Sequence, residues 1–282
     1  MDGCLAGMAC SNLRRLLLVQ LALGCSAALP LNASAYKLQL PVSNGKGGIV
    51  EIQPSALPTY TSAYFTPGDD GSVALFCPVG GAHTSGSKYP RTELRELLEW
   101  KASAADGAHA HTLEADMAVT RAPPSGKLVV GQVHVDGLVG ACSVVLELEW
   151  EAGGTVEARL RDKACKTVSK NVGYGIELNR RFRYSVKVGV PPAGMHSTSF
   201  NASTDGAQSA PTLNVTLTWQ TSKGQTVSKS TGAYALVQPL DDPLYFKAGA
   251  YLQDSSFSSN AGGVSSTDGA TVSIHALRTT HA

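Results

Sequence analysis

Long apolar runs, helical periodicity, internal repeats and a surplus of charge are all missing from most of this 282-residue chain. The one apolar run, Leu16 to Leu23, is broken at Gln20 and is too short to persist as a membrane helix. No later stretch is long or apolar enough to form one, so no membrane partner is expected. Spacing of apolar residues at 3.6 is scarce; only Pro54 to Leu57 suggests one short helical turn, which argues against a helical bundle. No repeat and no clear linker divides the chain, and its length suits one large all-β domain. Formal net charge is only +1, and it vanishes once a leader carrying Asp2, Arg14 and Arg15 is set aside. Global charge therefore draws in no nucleic acid or other polyanion, and any attraction for one must come from a local cluster.

What is present at the N-terminus reads as a secretion signal. Arg14-Arg15 supply positive charge ahead of the short apolar run, and Ala33-Ser34-Ala35 is a small-residue cleavage site, with Cys25-Ser26-Ala27 as an earlier option. The expected organisation is a leader over residues 1–35 and a secreted, extracellular, monomeric domain over 36–282. Beyond the leader the chain reads as short strands split by Gly, Pro, Ser and Asp turns. Examples are Leu128 to Val135, Val144 to Trp150, Val156 to Arg161, Phe182 to Val190, Leu213 to Trp219 and Leu244 to Tyr251. Strands at this spacing predict two packed antiparallel sheets, a sandwich or jelly roll. Pro191 to Pro211 and Asp254 to Gly269 read as long Ser/Gly-rich loops.

Three of these stretches put polar, chemically capable side chains on alternate positions, which share one face of a strand. Arg91, Glu93 and Arg95 form one row, Gln132 and His134 a second, and Tyr245, Lys247, Tyr251 and Gln253 a third. Leu94, Val133, Phe246, Ala248, Ala250 and Leu252 fall on the opposite faces. Alone, Arg91 to Glu96 could be a solvated charged face and Gln132-Val133-His134 a surface strand, and Tyr245 and Phe246 could be core aromatics. Together they offer cations, an imidazole and phenols, which suit an acidic substrate and proton transfer. His109 and His111 share a face but lack a third ligand, so no metal is assigned.

In order, Arg-Thr-Glu-Leu-Arg-Glu, Gln-Val-His and Tyr-Phe-Lys-Ala-Gly-x-Tyr-x-Gln resemble the signature motifs of the alginate lyases of polysaccharide lyase family 7. Tyr36-Lys37-Leu38-Gln39-Leu40-Pro41 resembles the opening strand of that domain, and the resemblance covers roughly residues 36 to 280. One departure is Leu252, where many members carry Asn; alternation points it inward. The resemblance implies an all-β jelly roll with a concave sheet as substrate cleft, an anionic uronate polysaccharide as partner, and Arg91, Gln132, His134 and Tyr251 as the catalytic set.

The residue types fit that chemistry. β-Elimination from a 1,4-linked uronate needs a group to neutralise the carboxylate, a base for the C5 proton and an acid for the leaving oxygen, and it needs no cofactor. Arg91 can grip a carboxylate at two points and Gln132 can donate to it. His134 can be a neutral base. Tyr251 is the natural acid, and a poor base unless Arg91 or Lys247 stabilises its phenolate. Glu93 pairs with Arg95 or orients Arg91; with Arg95, Lys247 and Gln253 it makes up the substrate-binding set. Competing readings are a lyase for another uronan, such as a glucuronan, and a non-catalytic carbohydrate-binding module, which would need no base and acid pair. Val133, in the middle of its motif, goes by family resemblance with a lean toward mannuronate.

Cys77, Cys142 and Cys165 remain beyond the leader. Cys142 and Cys165 flank a hairpin around Gly153-Gly154. Pairing Leu146 with Leu160 and Leu148 with Ala158 leaves Cys165 one residue out of line, so a bulge or loop must absorb the offset. The expectation is a Cys142–Cys165 disulfide with Cys77 a buried thiol. Asn201 and Asn214 are N-glycosylation acceptors by pattern, relevant in a eukaryotic source.

Overall fold

A computed structural model describes residues 29–102, 110–138, 140–190, 211–236, 242–254 and 267–282. Residues 1–28 of the leader, His109, Asn201 and nearly all of both predicted Ser/Gly-rich loops lie outside these residues. The described chain forms β1 (Tyr36–Ser43), β2 (Ile49–Ile52), β3 (Phe65–Pro67), β4 (Val73–Pro78), β5 (Arg91–Glu96), β6 (Ala110–Arg121), β7 (Lys127–Val135) and β8 (Val144–Glu151). It continues as β9 (Val156–Arg161), β10 (Thr167–Gly173), β11 (Phe182–Gly189), β12 (Thr212–Gln220), β13 (Thr226–Ser230), β14 (Tyr234–Ala235), β15 (Leu244–Leu252) and β16 (Gly269–His281). The short helical turn falls at Leu57–Thr59 rather than Pro54 to Leu57, because Pro58 suits the first turn of a helix.

The strands build two antiparallel sheets, as the period-two patterning requires. One runs β10-β9-β8-β7-β15-β5-β1-β2, the other β13-β12-β11-β6-β16-β4-β3, with β14 paired to β12. The core fills the space between them, with Leu94, Val133, Phe246, Ala248, Ala250 and Leu252 of the first sheet fully or almost fully buried against Leu113, Met117, Tyr184, Val186 and Leu217 of the second. The three motif strands are consecutive neighbours, β7-β15-β5, at the centre of the first sheet. Sequence alternation alone could not show that adjacency.

Irregularities adjust which face each side chain takes. β15 gains a residue on β7 between Ala248 and Tyr251, and β7 gains one on β8 between Val129 and Gly131. Val130 therefore joins the core although strict alternation groups it with Gln132 and His134. Gly249 in the first bulge has φ 147°, and a Cβ there would sit 2.5 Å from the Thr92 carbonyl oxygen, so the glycine of the third motif is required for β15 to lie against β5.

Between the sheets, a polar chain that sequence reasoning missed ties β5 to the C-terminal strand. The buried Glu96 carboxylate accepts from Trp100 Nε1 (3.0 Å) and the Phe246 amide (3.1 Å), and pairs with His281 Nε2 (2.9 Å). His281 Nδ1 lies 2.8 Å from His111 Nδ1, and the His111 ring stacks on Trp100 with centroids 4.2 Å apart. The predicted hairpin register holds, with Leu146 opposite Leu160 and Leu148 opposite Ala158. Cys142 and Cys165 are disulfide-bonded with Cα atoms 5.2 Å apart, and Cys77 is a buried free thiol. The one-residue offset is absorbed in a turn after β9, where Cys165 takes φ 59°.

Candidate active site

Cross-strand register assembles the predicted side chains into one patch. Tyr251 lies opposite Arg91, Gly249 opposite Glu93 and Lys247 opposite Arg95 on one side of β15; on the other, Lys247 lies opposite Gln132 and Tyr245 opposite His134. Tyr251 and His134 thus stand toward opposite ends of a row, with Glu93, Gln132 and Lys247 between them.

Glu93 is the hub of this row. Its carboxylate accepts from Arg91 Nη1 at 3.2 Å and from Gln132 Nε2 at 2.5 Å, with Lys247 Nζ at 3.9 Å. Of the two partners foreseen for it, Arg91 is the one it takes; Arg95 bonds Glu99 (2.9 Å) and Asp136 (3.0 Å) instead. Glu93 is 0% exposed, so it fixes the orientation of Arg91 and Gln132 and offers no free oxygen to a sugar. Arg91 and Lys247 are each only 4% exposed. One buried carboxylate faces two buried cations: Glu93 pairs with Arg91, and Lys247 meets its burial by a lowered pKa. Gln132 spends one amide N–H on Glu93 and keeps the second. Arg91 Nε is buried without a hydrogen-bond partner among the described residues.

Electrostatics sets the imidazole and the phenol apart. Burial, then the Lys247 and Arg91 charges, drives the His134 imidazole well below its usual range, so it is neutral at neutral pH. Its Nδ1 faces the Val135 carbonyl at 3.5 Å; a proton on that nitrogen leaves Nε2 as the basic atom. The ring stacks on Tyr245 with centroids 5.4 Å apart, and Arg95 Cζ sits 3.9 Å from the Tyr245 ring centre. Burial raises the Tyr251 phenol, and the opposing pull of Arg91 and of the hydrogen bond to Ser87 does not reverse it. Tyr251 is therefore protonated, with Arg91 Cζ 4.3 Å from its ring centre. Burial, then the Arg91 charge, lowers Lys247 to about 7 against the opposing effect of Glu93.

Gln253 lies past the end of β15 and bonds the Leu252 carbonyl; among the described residues no hydrogen bond joins it to the row. Two groups went unread in the sequence. Ser87 Oγ lies 3.2 Å from Tyr251 Oη, and nothing in a Ser/Gly-rich link announces that. Next to β7, Arg159 bonds Glu149 at 2.5 Å and Arg161 bonds Glu147 at 2.8 Å. That ladder was recoverable, since the hairpin register sets alternating Glu on β8 against alternating Arg on β9.

A jelly roll of two antiparallel sheets that carries cation, imidazole and phenol along one row of one sheet has the parts a polysaccharide lyase needs. The family model described as alginate lyase matches residues 30–281, and the chain belongs to that family, the alginate lyases of polysaccharide lyase family 7. Among solved structures, an alginate lyase from Pseudomonas aeruginosa is similar with TM-score 0.64 and 24% identity over 89% of this chain and 99% of that one. Alginate lyase A1-II′, a member of polysaccharide lyase family 7, is similar with TM-score 0.65 and 23% identity over 90% and 97%. The alginate lyase from a Corynebacterium species gives 0.56 and 23% over 91% and 100%. No curated protein matches the chain in sequence.

Proposed function

We propose that this chain cleaves alginate by β-elimination with Arg91, Gln132, His134 and Tyr251 as the catalytic set, and that it leans toward polymannuronate. The observation that carries the reading is a neutral His134 and a protonated Tyr251 flanking a buried row of donors. Arg91 and the free N–H of Gln132 hold the uronate carboxylate, relieving the negative charge that opposes proton loss at C5. His134 Nε2 takes the C5 proton. The C5–H electrons form the C4–C5 double bond, the C4–O4 bond breaks, and Tyr251 gives its proton to O4. His134 then loses its proton to solvent and Tyr251 regains one, which closes the cycle without a cofactor. Glu93 holds Arg91 and Gln132, while Arg95, Lys247 and Gln253 meet neighbouring sugars.

Support also comes from A1-II′, for which a variant altered at a histidine and a tyrosine is described in complex with substrate, GGMG, and one altered at a tyrosine with product, GGG. The mannuronate lean rests on Val133, which is fully buried and acts only through the position of its strand. In mannuronate the C5 proton and the leaving oxygen share one side of the ring, within reach of one tyrosine. In guluronate they lie on opposite sides, which the His134 and Tyr251 pair also serves. Initial rates from the absorbance of the unsaturated product, on polymannuronate, polyguluronate and glucuronan separately, test the reading. Faster cleavage of polymannuronate is expected; faster cleavage of polyguluronate overturns the lean, and product from glucuronan alone overturns the substrate.

The chain is also proposed to be secreted as a monomer. Its leader is better ended after Ala27 than after Ala35, because the segment before β1 is part of the fold: Leu277 N–H donates to the Pro30 carbonyl and Leu97 N–H to the Ala35 carbonyl, both at 2.9 Å. The intact mass of the secreted protein tests this, and a start at Tyr36 would overturn it.

A further inference from the structure

Ser87 stands in the link between β4 and β5, outside all three motifs, yet its hydroxyl lies against the phenol of Tyr251 at 3.2 Å. The same oxygen is fixed from its own side of the link. It donates to the Tyr89 carbonyl at 3.0 Å and accepts from the Tyr89 amide at 3.3 Å, while the Ser87 amide closes a turn on the Thr84 carbonyl at 2.9 Å. The link is also bonded next to Tyr251, where the Leu252 amide donates to the Pro90 carbonyl at 3.2 Å. The seryl oxygen is thus held in place whichever way its proton points.

Counting protons then gives the direction of each bond. Ser87 has one proton and two lone pairs. The nearer acceptor is the Tyr89 carbonyl, so the proton goes there, and one lone pair receives the Tyr89 N–H. The remaining lone pair faces Tyr251, which must donate. When Tyr251 gives its proton away, the balance reverses: the phenolate becomes the strongest acceptor in reach, and rotation about the Ser87 Cβ–Oγ bond turns the seryl proton onto it. A side chain with only a donor or only an acceptor could serve one of these two states.

We propose that Ser87 is a positioning residue for the proton donor, accepting from the Tyr251 phenol before proton transfer and donating to the phenolate after it. The proposal rests on the assignment of Tyr251 as the acid. Its effect falls on turnover, because the bond that strengthens is the one to the ionised product of the transfer; substrate binding depends on Arg91, Gln132 and Lys247, which Ser87 does not touch.

The test compares Ser87→Ala, Ser87→Thr, Tyr251→Phe and the Ser87→Ala/Tyr251→Phe double variant by initial rates of unsaturated product, with thermal melting as a check on folding. Loss of one hydrogen bond that strengthens during the reaction lowers kcat about three- to tenfold. KM for Ser87→Ala stays within about twofold and melting is unchanged. Ser87→Thr, which keeps the hydroxyl, restores most of kcat. Adding Ser87→Ala to Tyr251→Phe costs nothing further, because the partner is already gone. Parental kcat in Ser87→Ala with an inactive Tyr251→Phe overturns the role of Ser87 alone. A further loss in the double variant reassigns Ser87 to structure and overturns it likewise. Parental activity in Tyr251→Phe overturns the acid assignment and the Ser87 proposal together.

Discussion

Two arginine clusters sit on the outward faces of the two sheets, and they differ in what surrounds the charge. On the second sheet, Arg181 and Arg183 converge on Asp116, with Arg181 Nη2 and Arg183 Nη2 at 3.0 and 2.9 Å from Asp116 Oδ2. Burial alone would raise this carboxyl, but the two guanidinium hydrogen bonds outweigh it and hold it low. With Arg180 and Trp219 these residues line a cavity of about 470 Å³. On the first sheet, Arg91 meets Glu93. The side-chain exposures are 56% and 71% for Arg181 and Arg183, against 5% for Arg91 and 0% for Glu93. Arg181 and Arg183 keep water around them, and only their partner Asp116 is buried. Arg91 has traded water for Glu93 and Tyr251, so a small change in its neighbours alters both its geometry and the ionisation of the groups beside it. A cavity with guanidinium groups is thus not by itself an active site. Buried charges packed around titratable groups shift their ionisation, which solvated pairs do far less.

That contrast is most exposed to failure at Tyr251. Tyr251→Phe keeps the ring under Arg91 and removes only the proton, and turnover is expected to fall about 10²- to 10⁴-fold with polymer binding largely intact. Near-parental rates of unsaturated product in a variant with parental circular dichroism would remove Tyr251 from the chemistry. A direct comparison of the two clusters comes next. Arg91→Lys keeps the charge and loses the planar two-point grip, so activity should drop on the order of 10- to 100-fold. Arg183→Lys on the other sheet should leave the rate within about twofold. Equal effects in side-by-side assays would mean that burial and pairing do not distinguish the clusters.

The smallest effect concerns stability and reads the buried lysine directly. Unfolded, Lys247 holds its proton to about 10.5; folded, burial and the Arg91 charge bring it to about 7. Between these values the unfolded chain binds more protons, so stability rises with pH, and the destabilisation from a buried ammonium is fully present below about 7. Urea denaturation between pH 7 and 9 should show a gain of about 2 kcal/mol in the parent, and Lys247→Met should flatten that slope. A slope that survives the substitution would place the titrating group elsewhere.

Legibility from sequence followed the range of the interaction. Strand limits at Val156–Arg161 and the Leu146–Leu160 register were readable because alternation and a Gly-Gly turn act over a few residues. The disulfide followed from the hairpin that Cys142 and Cys165 flank, although that register leaves them one residue out of line. Glu93 was ambiguous between Arg91 and Arg95, since both share its face two residues away; in the fold Glu99 and Asp136 take Arg95, and Gln132, two strands away, joins Arg91 on Glu93. Ser87 could not be found at all: it is 164 residues from its partner and carries no periodicity. The His111–His281–Glu96 chain was equally hidden, joining residues from β5, β6 and β16.

By itself the sequence determined an all-β chain, the three motif strands and the faces on which Arg91, Gln132, His134 and Tyr251 lie, because side-chain direction in a strand is a local consequence of backbone geometry. Tertiary structure alone decided that those strands are neighbours, that Glu93 rather than solvent receives Arg91 and Gln132, and that His134 is neutral while Tyr251, toward the other end of the row, is protonated. Pairing, burial and ionisation depend on what other strands bring within a few ångströms, and a linear pattern carries no record of that distance.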